Sequence, residues 1–425
     1  MPESAPAAPK QFFGVVAGGA ADQADYKKMQ RTSVGTVRFT VGWPGIQPHR
    51  NGPFDFTRTD SVVGSLASNG IRPVPTVFGS PHWVAPKVTK PPLRTKETKK
   101  AWKRFLGALV DRYGRGGDYW TGSPSPYHAQ FGASAPVKAV RHWQIWNEPN
   151  LPKYFSVKKK KAPKQYGKLV KLSHQAIKQH DRKAKVLLAG LTGFAKPRAW
   201  TFLKQLYRAK GIKRAFDAAA LHPYPATIKQ LRGEVRRIRS QMARHHDRHT
   251  PLWITELGWG SRHGTPSQPL NKGLNGQKRM LKTSFRLLLH KRKHWRLKAV
   301  QWYTWRDPAR TGNHPVCTFC DSAGLLRHNR KPKPAYRAYK HFTKKKRHGR
   351  AGGAATRGAP SSRSPGASAG TGDSVPGIVV DAAGSGWMPV FIAALVAFTG
   401  IAAFAGYRRR SGGRRGHRAV PTDDR

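Results

Sequence analysis

Cysteine is scarce in this chain, which has only Cys317 and Cys320 among its 425 residues. No second cysteine pair and no suitably spaced Cys/His pair follows them, which argues against a zinc centre with four protein ligands. The two thiols are expected either to form a short-range disulfide, as in an exported protein, or to stay reduced. The spacing leaves both states open.

Acidic residues are scarce as well, since 20 Asp and Glu stand against 79 Lys and Arg and give a formal net charge of +59. A charge of this size attracts polyanions such as nucleic acid, anionic glycans or acidic lipid. The sequence contains no recognised nucleic-acid-binding module, so we expect the basic residues to be dispersed over the solvated surface and no specific nucleic acid to be bound. A surface protein that binds polyanions by charge alone remains an alternative.

Two further signals are missing. The Pro/Ala-rich tail over residues 1–10 lacks the apolar core of a secretory signal. No glycine-rich phosphate-binding turn follows an early strand, which argues against a doubly wound sheet that binds a nucleotide. We expect neither an organic cofactor nor a metal ion.

Strand-like and helix-like segments alternate eight times from residue 11 onward. Eight such units in about 330 residues predict an α/β fold, a (β/α)8 TIM barrel, over residues 11–345. The predicted strands span 12–17, 36–41, 72–77, a segment that leads to Glu148, 185–190, 216–221, 252–255 and 299–304. The predicted helices span 22–31, 61–68, 98–113, 165–179, 197–209, 228–242, 276–290 and 334–342.

The composition changes after the predicted barrel. Residues 346–386 are rich in Gly, Ala, Ser and Pro and are expected to form a disordered linker. Residues 387–407 carry no charge, and as a helix they would span about 30 Å of hydrocarbon. Trp387 and Tyr407 stand at the two ends, and arginines begin the basic tail over residues 408–425. This pattern predicts a single-pass transmembrane helix in the cell membrane, with the barrel outside and the tail in the cytoplasm.

Two glutamates follow apolar strands. Glu148 ends the run that begins at Trp143, and Pro149 stops that strand because proline cannot donate to the sheet. Glu256 ends the run that begins at Leu252. Because the chemistry of parallel barrels lies at the carboxyl ends of the strands, we expect both side chains to face one cleft. Two neighbouring carboxyl groups, one protonated and one ionised, are what cleavage of a glycosidic bond requires, and Asn147 is suited to holding a sugar hydroxyl.

The segments Trp146-Asn147-Glu148-Pro149 and Ile254-Thr255-Glu256-Leu257-Gly258 resemble the signatures of a known superfamily. This is clan A, the retaining glycoside hydrolases with (β/α)8 barrels, which includes the cellulase-like family five and the xylosidase-like family thirty-nine. The resemblance implies that Glu148 is the acid/base and Glu256 the nucleophile. It also implies site roles for further residues at strand ends, namely Arg38, His222, Tyr224 and Trp305.

Other aromatic residues also follow strand ends. Trp43, Trp83 and Trp259 could each stack on a pyranose, or could pack in the core or at its rim. His82 could contact a sugar hydroxyl or satisfy a loop carbonyl.

The sequence therefore predicts a monomeric retaining glycosidase that acts on O-glycosidic bonds of a polysaccharide or oligosaccharide. A catalytically silent barrel that binds glycans of the cell envelope is the alternative from another class.

Overall fold

The computed structural model describes residues 9–18, 21–194, 196–309 and 317–344. Eight parallel strands form a closed barrel in chain order, in which each strand pairs with the next and β8 pairs with β1. The strands are β1 (Phe13–Val16), β2 (Thr36–Gly42), β3 (Arg72–Phe78), β4 (His142–Ile145), β5 (Lys185–Thr192), β6 (Ala218–His222), β7 (Leu252–Leu257) and β8 (Leu297–Trp302). The predicted barrel is confirmed.

Helices follow each strand and cover the outside of the barrel. In the described residues they are α1 (Gln23–Arg31), α2 (Trp43–Ile46), α3 (Thr57–Ser68), α4 (Lys96–Tyr113), α5 (Asp118–Thr121), α6 (Pro126–Phe131), α7 (Ala162–His180), α8 (Ala199–Leu206), α9 (Ile228–Arg244), α10 (Gly273–His290) and α11 (Pro334–Lys344). Local sequence explains where several of them begin. Asp22, Thr95 and Thr227 each cap a helix by accepting a bond from the backbone N–H three residues later.

The barrel interior is arranged in layers. Val74, Ala220 and Trp253 belong to one buried cluster inside the barrel. Because side chains alternate along a strand, residues two positions further on face the same interior, one layer nearer the carboxyl ends. Those positions hold polar residues, including His222 and Thr255, which are also buried. The apolar layer thus supports a polar one.

Residues 114–136 differ from the loop that their Gly, Ser and Pro content suggests, because they contain α5 and α6. Ser125 caps α6, and Pro126 occupies its first turn, where a missing N–H costs nothing. Tyr119, Trp120 and Tyr127 bury their rings against one another. This aromatic packing orders a segment that its composition alone does not predict to be ordered.

Strand β8 is shifted towards the N-terminus by two residues from its predicted span. Thr304 and Trp305 still run beside β1. The Thr304 hydroxyl and the backbone N–H of Trp305 both donate to the carbonyl of Val16. They lie beyond the regular ladder of the strand.

Cys317 and Cys320 form a disulfide, so the first of the two expected states is the one found. The predicted linker, membrane helix and basic tail lie outside the described residues. Within the described ranges, no helix is both long enough and apolar enough to cross a membrane.

Candidate active site

The chain leaves β4 in an unusual conformation. Trp146 and Glu148 have φ values of 70° and 41°, in the left-handed region that residues other than glycine rarely adopt. The indole Nε1 of Trp146 donates to the carbonyl of Tyr154 at 2.7 Å, which ties the following loop to the strand end. This sharp turn places the carboxyl group of Glu148 inside the barrel mouth, where the residue is fully buried.

The second glutamate, Glu256, lies near the end of β7 and is 5% exposed. One carboxylate oxygen of Glu148, one of Glu256 and one ring nitrogen of His222 all lie within 4.8 Å of one another. The structure therefore brings together two acidic residues that are far apart in the chain, as the strand-end pattern predicts.

Arg38 on β2 organises the surroundings of Glu256. Its Nη1 donates to Glu256 Oε1 at 2.5 Å, its Nη2 to Asn147 Oδ1 at 2.8 Å and its Nε to Gln144 Oε1 at 2.6 Å. The hydroxyl of Tyr224 donates to the other oxygen, Glu256 Oε2. Both oxygens of Glu256 thus accept hydrogen bonds that favour its ionised form.

The orientation of the Gln144 amide follows from its partners. Its oxygen accepts from the Arg38 guanidinium, which can only donate, and its nitrogen donates at 3.0 Å to the carbonyl of Leu188, which can only accept. The same nitrogen lies 3.2 Å from Thr255 Oγ1 and donates to it. The hydroxyl hydrogen of Thr255 is then available for a different neighbour.

That neighbour is His222, whose Nε2 lies 2.9 Å from Thr255 Oγ1. If Nε2 accepts from Thr255, the proton of a neutral imidazole is on Nδ1, which lies 2.8 Å from Glu148 Oε1 and donates to it. Burial and the Arg38 charge hold the pKa of His222 well below its ordinary value, so the ring is neutral. The contact is therefore a hydrogen bond of a neutral histidine rather than an ion pair.

The two glutamates differ in how their charge is balanced. Burial, and then the charge of Glu256, raise the pKa of Glu148 well above its ordinary value. Burial also raises the pKa of Glu256, but Arg38 and Tyr224 act against it. Glu148 Oε2 has no hydrogen-bond partner within the described part of the chain. Of the pair, Glu148 is the one equipped to hold a proton, and Oε2 is the oxygen free to carry it.

A glycine on β5 makes room for the histidine. A Cβ on Gly190 would lie 1.9 Å from His222 Nε2, which is far inside contact distance. The ring of His222 therefore occupies space that any other residue at position 190 would fill.

The residues predicted from the sequence divide into two groups. Arg38, Asn147, His222 and Tyr224 join the hydrogen-bond network around the two glutamates, and Gln144 and Thr255 belong to the same network although the sequence did not single them out. The available signal was the presence of polar residues within otherwise apolar, buried strands, since a buried polar group requires a partner.

The second group makes no hydrogen bond to the glutamates among the described residues. His82 is exposed, and Trp83 is half-buried with its indole nitrogen donating to the carbonyl of Gln47. Trp305 is fully buried, and its Nε1 donates to Asp25 Oδ1 at 3.1 Å. The described structure gives its indole no exposed face on which a sugar could stack, so a role as the floor of a subsite remains a prediction.

Two other tryptophans are core residues. Trp43 and Trp259 are fully buried, and their indole nitrogens donate to Gln47 Oε1 and to the carbonyl of Pro225. Trp43 stacks on Phe105 of α4. For both, packing in the core is the alternative that the structure supports.

Glu148, His222 and Glu256 also have the residue types and the spacing of a metal site. Apart from Glu148 Oε2, the ligand atoms of these residues already have hydrogen-bond partners, and both oxygens of Glu256 accept from Arg38 and Tyr224. A cation would also stand close to the Arg38 guanidinium, which lies 2.5 Å from Glu256. These residues fit an acid–base pair better than a metal centre.

Comparison with known proteins agrees with this chemistry. Residues 128–332 match the family model described as the glycosyl hydrolase catalytic core. A family 39 glycoside hydrolase from the gut symbiont Bacteroides cellulosilyticus WH2 superposes with a TM-score of 0.57 at 19% identity, over 79% of this chain and 64% of its own. A GH39 β-xylosidase from Caulobacter crescentus gives 0.54 at 21% identity, over 80% and 73%. A GH5_18 protein from Streptomyces cattleya gives 0.55 at 16% identity, over 81% and 82%.

No curated protein matches the sequence. The chain spans slightly less than two thirds of the length of the Bacteroides protein. The match over residues 128–332 to the glycosyl hydrolase catalytic core agrees with the resemblance noted in the sequence, and the solved structures share the barrel fold.

Proposed function

We propose that this glycosidase hydrolyses O-glycosidic bonds with retention of configuration, by double displacement at Glu148 and Glu256. The observation that carries the proposal is the approach of the two carboxyl groups, which bring one oxygen each to within 4.8 Å. Carboxyl groups about 5–5.5 Å apart are typical of retaining glycosidases, whereas inverting ones leave about 6.5–9.5 Å for a water molecule.

In the first step, a carboxylate oxygen of Glu256 attacks the anomeric carbon while the bond from that carbon to the leaving oxygen breaks. Glu148 gives the proton on Oε2 to the leaving oxygen, and a glycosyl ester on Glu256 results. In the second step, Glu148 is a carboxylate and takes a proton from water. The water oxygen bonds to the anomeric carbon, the ester bond breaks, and Glu256 is released as a carboxylate.

The partners of each glutamate suit these roles. Arg38 and Tyr224 stabilise the charge on Glu256 before attack and after release. His222 holds only Oε1 of Glu148, so the proton on Oε2 faces no competing acceptor among the described residues. When Glu256 is esterified its charge disappears, and one cause of the raised pKa of Glu148 disappears with it. Glu148 can then act as a base.

The substrate is proposed to be a carbohydrate with a β-linked sugar, which we would test with a panel of aryl β-glycosides. The structural neighbours suggest which sugars to include. They are described as β-xylosidases, a β-galactosidase from Halorubrum lacusprofundi, and a GH5_18 protein in complex with Manb1-4GlcNAc. The panel therefore contains xylosides, galactosides and mannosides.

The decisive experiment combines this panel with Glu148→Ala and Glu256→Ala, and uses Glu97→Gln, an exposed site on α4, as the control. We expect Glu256→Ala to be inactive on every substrate. Glu148→Ala should keep more activity on aryl glycosides whose leaving group departs without protonation than on those whose leaving group needs a proton. Added azide should restore turnover of this variant and give a glycosyl azide of retained configuration. An initial product of inverted configuration by NMR, or wild-type turnover in either alanine variant, would refute the proposal.

The location of the enzyme is a separate proposal that rests on the sequence alone. We propose that residues 387–407 anchor the barrel to the outer face of the cell membrane, because they are uncharged and a run of arginines follows them. The full chain should then sediment with membranes and resist extraction by high salt, whereas a chain ended after residue 345 should not.

A further inference from the structure

Tyr154 lies in the loop between β4 and α7 and is held against the end of β4. The N–H of Leu151 donates to the carbonyl of Glu148 at 2.9 Å, and the N–H of Tyr154 donates to the carbonyl of Leu151 at 3.0 Å. These two successive turns fold the loop back over Glu148. The indole of Trp146 then fixes the carbonyl of Tyr154 at 2.7 Å. Three hydrogen bonds thus tie the backbone of Tyr154 to the turn that carries the proposed acid.

The backbone of Tyr154 is hydrogen-bonded, whereas its side-chain hydroxyl is not, among the described residues. The residue is 3% exposed, and its hydroxyl is buried with no hydrogen-bond partner in the described structure. A buried hydroxyl without a partner is unfavourable and uncommon in native proteins. The ring itself is supported, because the ammonium group of Lys153 lies 5.3 Å from its centroid.

The surroundings of this hydroxyl are those of the catalytic centre. After burial, the charges that most raise the pKa of Tyr154 are those of Glu148 and Glu256. The phenol therefore stays protonated and can serve as a hydrogen-bond donor but not as a base or a nucleophile. Glu148 Oε2, the oxygen proposed to carry the catalytic proton, also has no hydrogen-bond partner in the described structure.

We propose that Tyr154 is a substrate-binding residue whose hydroxyl donates a hydrogen bond to a hydroxyl group of the sugar that lies next to the cleaved bond. The inference rests on the proposed function of the two glutamates and adds a specificity determinant to it. A protein group left unpaired until substrate binds discriminates strongly against an analogue that lacks the matching hydroxyl, because that analogue leaves the buried group unpaired.

Tyr339 provides a matched control for this hydroxyl. It lies on α11, is fully buried against Phe285, and its hydroxyl also has no hydrogen-bond partner in the described structure. The two tyrosines therefore share chemistry and burial and differ in location. A hydroxyl that is merely unsatisfied should behave as Tyr339 does.

The test compares Tyr154→Phe with Tyr339→Phe on the aryl β-glycoside that the wild type hydrolyses fastest. Neither variant should have a lower Tm, because neither loses a bond within the protein. We expect kcat/KM to fall about tenfold or more in Tyr154→Phe and to stay at the wild-type value in Tyr339→Phe. A lower Tm in Tyr154→Phe, or wild-type kcat/KM, would overturn the inference.

Deoxy analogues of the same aryl glycoside, each lacking one sugar hydroxyl, complete the test. On the analogue that lacks the hydroxyl bound by Tyr154, wild type and Tyr154→Phe should have equal kcat/KM. Neither enzyme can form the proposed hydrogen bond with that analogue, so the substitution removes nothing further. If Tyr154→Phe lowers kcat/KM relative to wild type by the same factor on every analogue, the effect is structural and the inference is overturned. Wild-type activity in Tyr154→Phe beside inactive glutamate variants would refute the role of Tyr154 alone. Turnover in the glutamate variants would refute the proposed function itself.

Discussion

Replacement of Arg38 by methionine tests whether Arg38 favours the ionised form of Glu256. The change keeps an apolar stem of similar length and removes the three hydrogen bonds to Gln144, Asn147 and Glu256. Because the guanidinium is charged, each of the three bonds is worth about 1.5–3 kcal/mol. Removing one partner of a buried ion pair is expected to cost roughly 3–5 kcal/mol, and the two further lost bonds place Arg38→Met at or above the upper end of that range.

The cost of this replacement should depend on pH. Burial raises the pKa of Glu256, and Arg38 is the first of the groups that oppose this effect. Without Arg38 the pKa of Glu256 in the folded state rises further. The pH range in which the native state holds this proton and the unfolded state has lost it becomes wider. Stability then falls as pH rises from the unfolded pKa to the new folded pKa. The decrease in the free energy of unfolding caused by Arg38→Met should therefore be near its full size at pH 8 and smaller at pH 5.

Urea unfolding at the two pH values measures this difference, and the pH profile of kcat/KM reports on the same group. Because the proposed nucleophile must be ionised, the acidic limb of the profile should move to higher pH, and activity at the optimum should fall about 10²-fold. Arg112→Met is the control. Arg112 also forms an ion pair, with Asp60 at 2.5 Å, but this pair does not belong to the site. A loss of stability that is independent of pH, with an unmoved acidic limb, would show that Arg38 does not set the charge state of Glu256.

Three further substitutions test other parts of the structure. The charge of Lys153 lowers the pKa of Glu148, so Lys153→Gln should move the alkaline limb of kcat/KM to higher pH; an unmoved limb would contradict this. Gly190→Ala should displace His222, lower the free energy of unfolding by about 1–3 kcal/mol and reduce kcat, whereas wild-type melting and turnover would contradict the clash. Burial raises the pKa of Glu234 to about 8, so the native state binds the extra proton between the unfolded pKa and pH 8, and stability falls over that range. Glu234→Gln should therefore raise Tm at pH 9 and leave it nearly unchanged at pH 4, and an equal shift at both would show that ionisation is not the cause.

The strand ends could be predicted from the sequence because local chemistry determines them. Pro149 ends the run before it, and the apolar residues from Leu252 to Ile254 can only be buried. Eight such units then permit few topologies, since parallel strands require crossover helices and these have one preferred hand. Local pattern therefore placed both glutamates at the same end of one barrel.

The roles of the tryptophans could not be predicted in the same way. Trp43, Trp83, Trp259 and Trp305 all follow strands, yet their partners differ. Three are fully buried, and Trp83 is half-buried. Whether an indole faces the cleft or the core depends on the turn of the backbone after the strand and on which acceptor its N–H reaches. For Trp305 that acceptor is Asp25, which is 280 residues away in the chain.

The difference between the two glutamates is also a property of the assembled barrel. Both are buried at strand ends, so neither position nor burial tells which one keeps its proton. The distinction comes from partners on other strands, since Arg38 is 218 residues from Glu256 and His222 is 74 residues from Glu148. Glu256 receives a charged donor and a phenol, whereas Glu148 receives one neutral imidazole. A resemblance to a family can assign these roles by matching positions, but the physical reason for them exists only once the barrel has closed and the donors have met their acceptors.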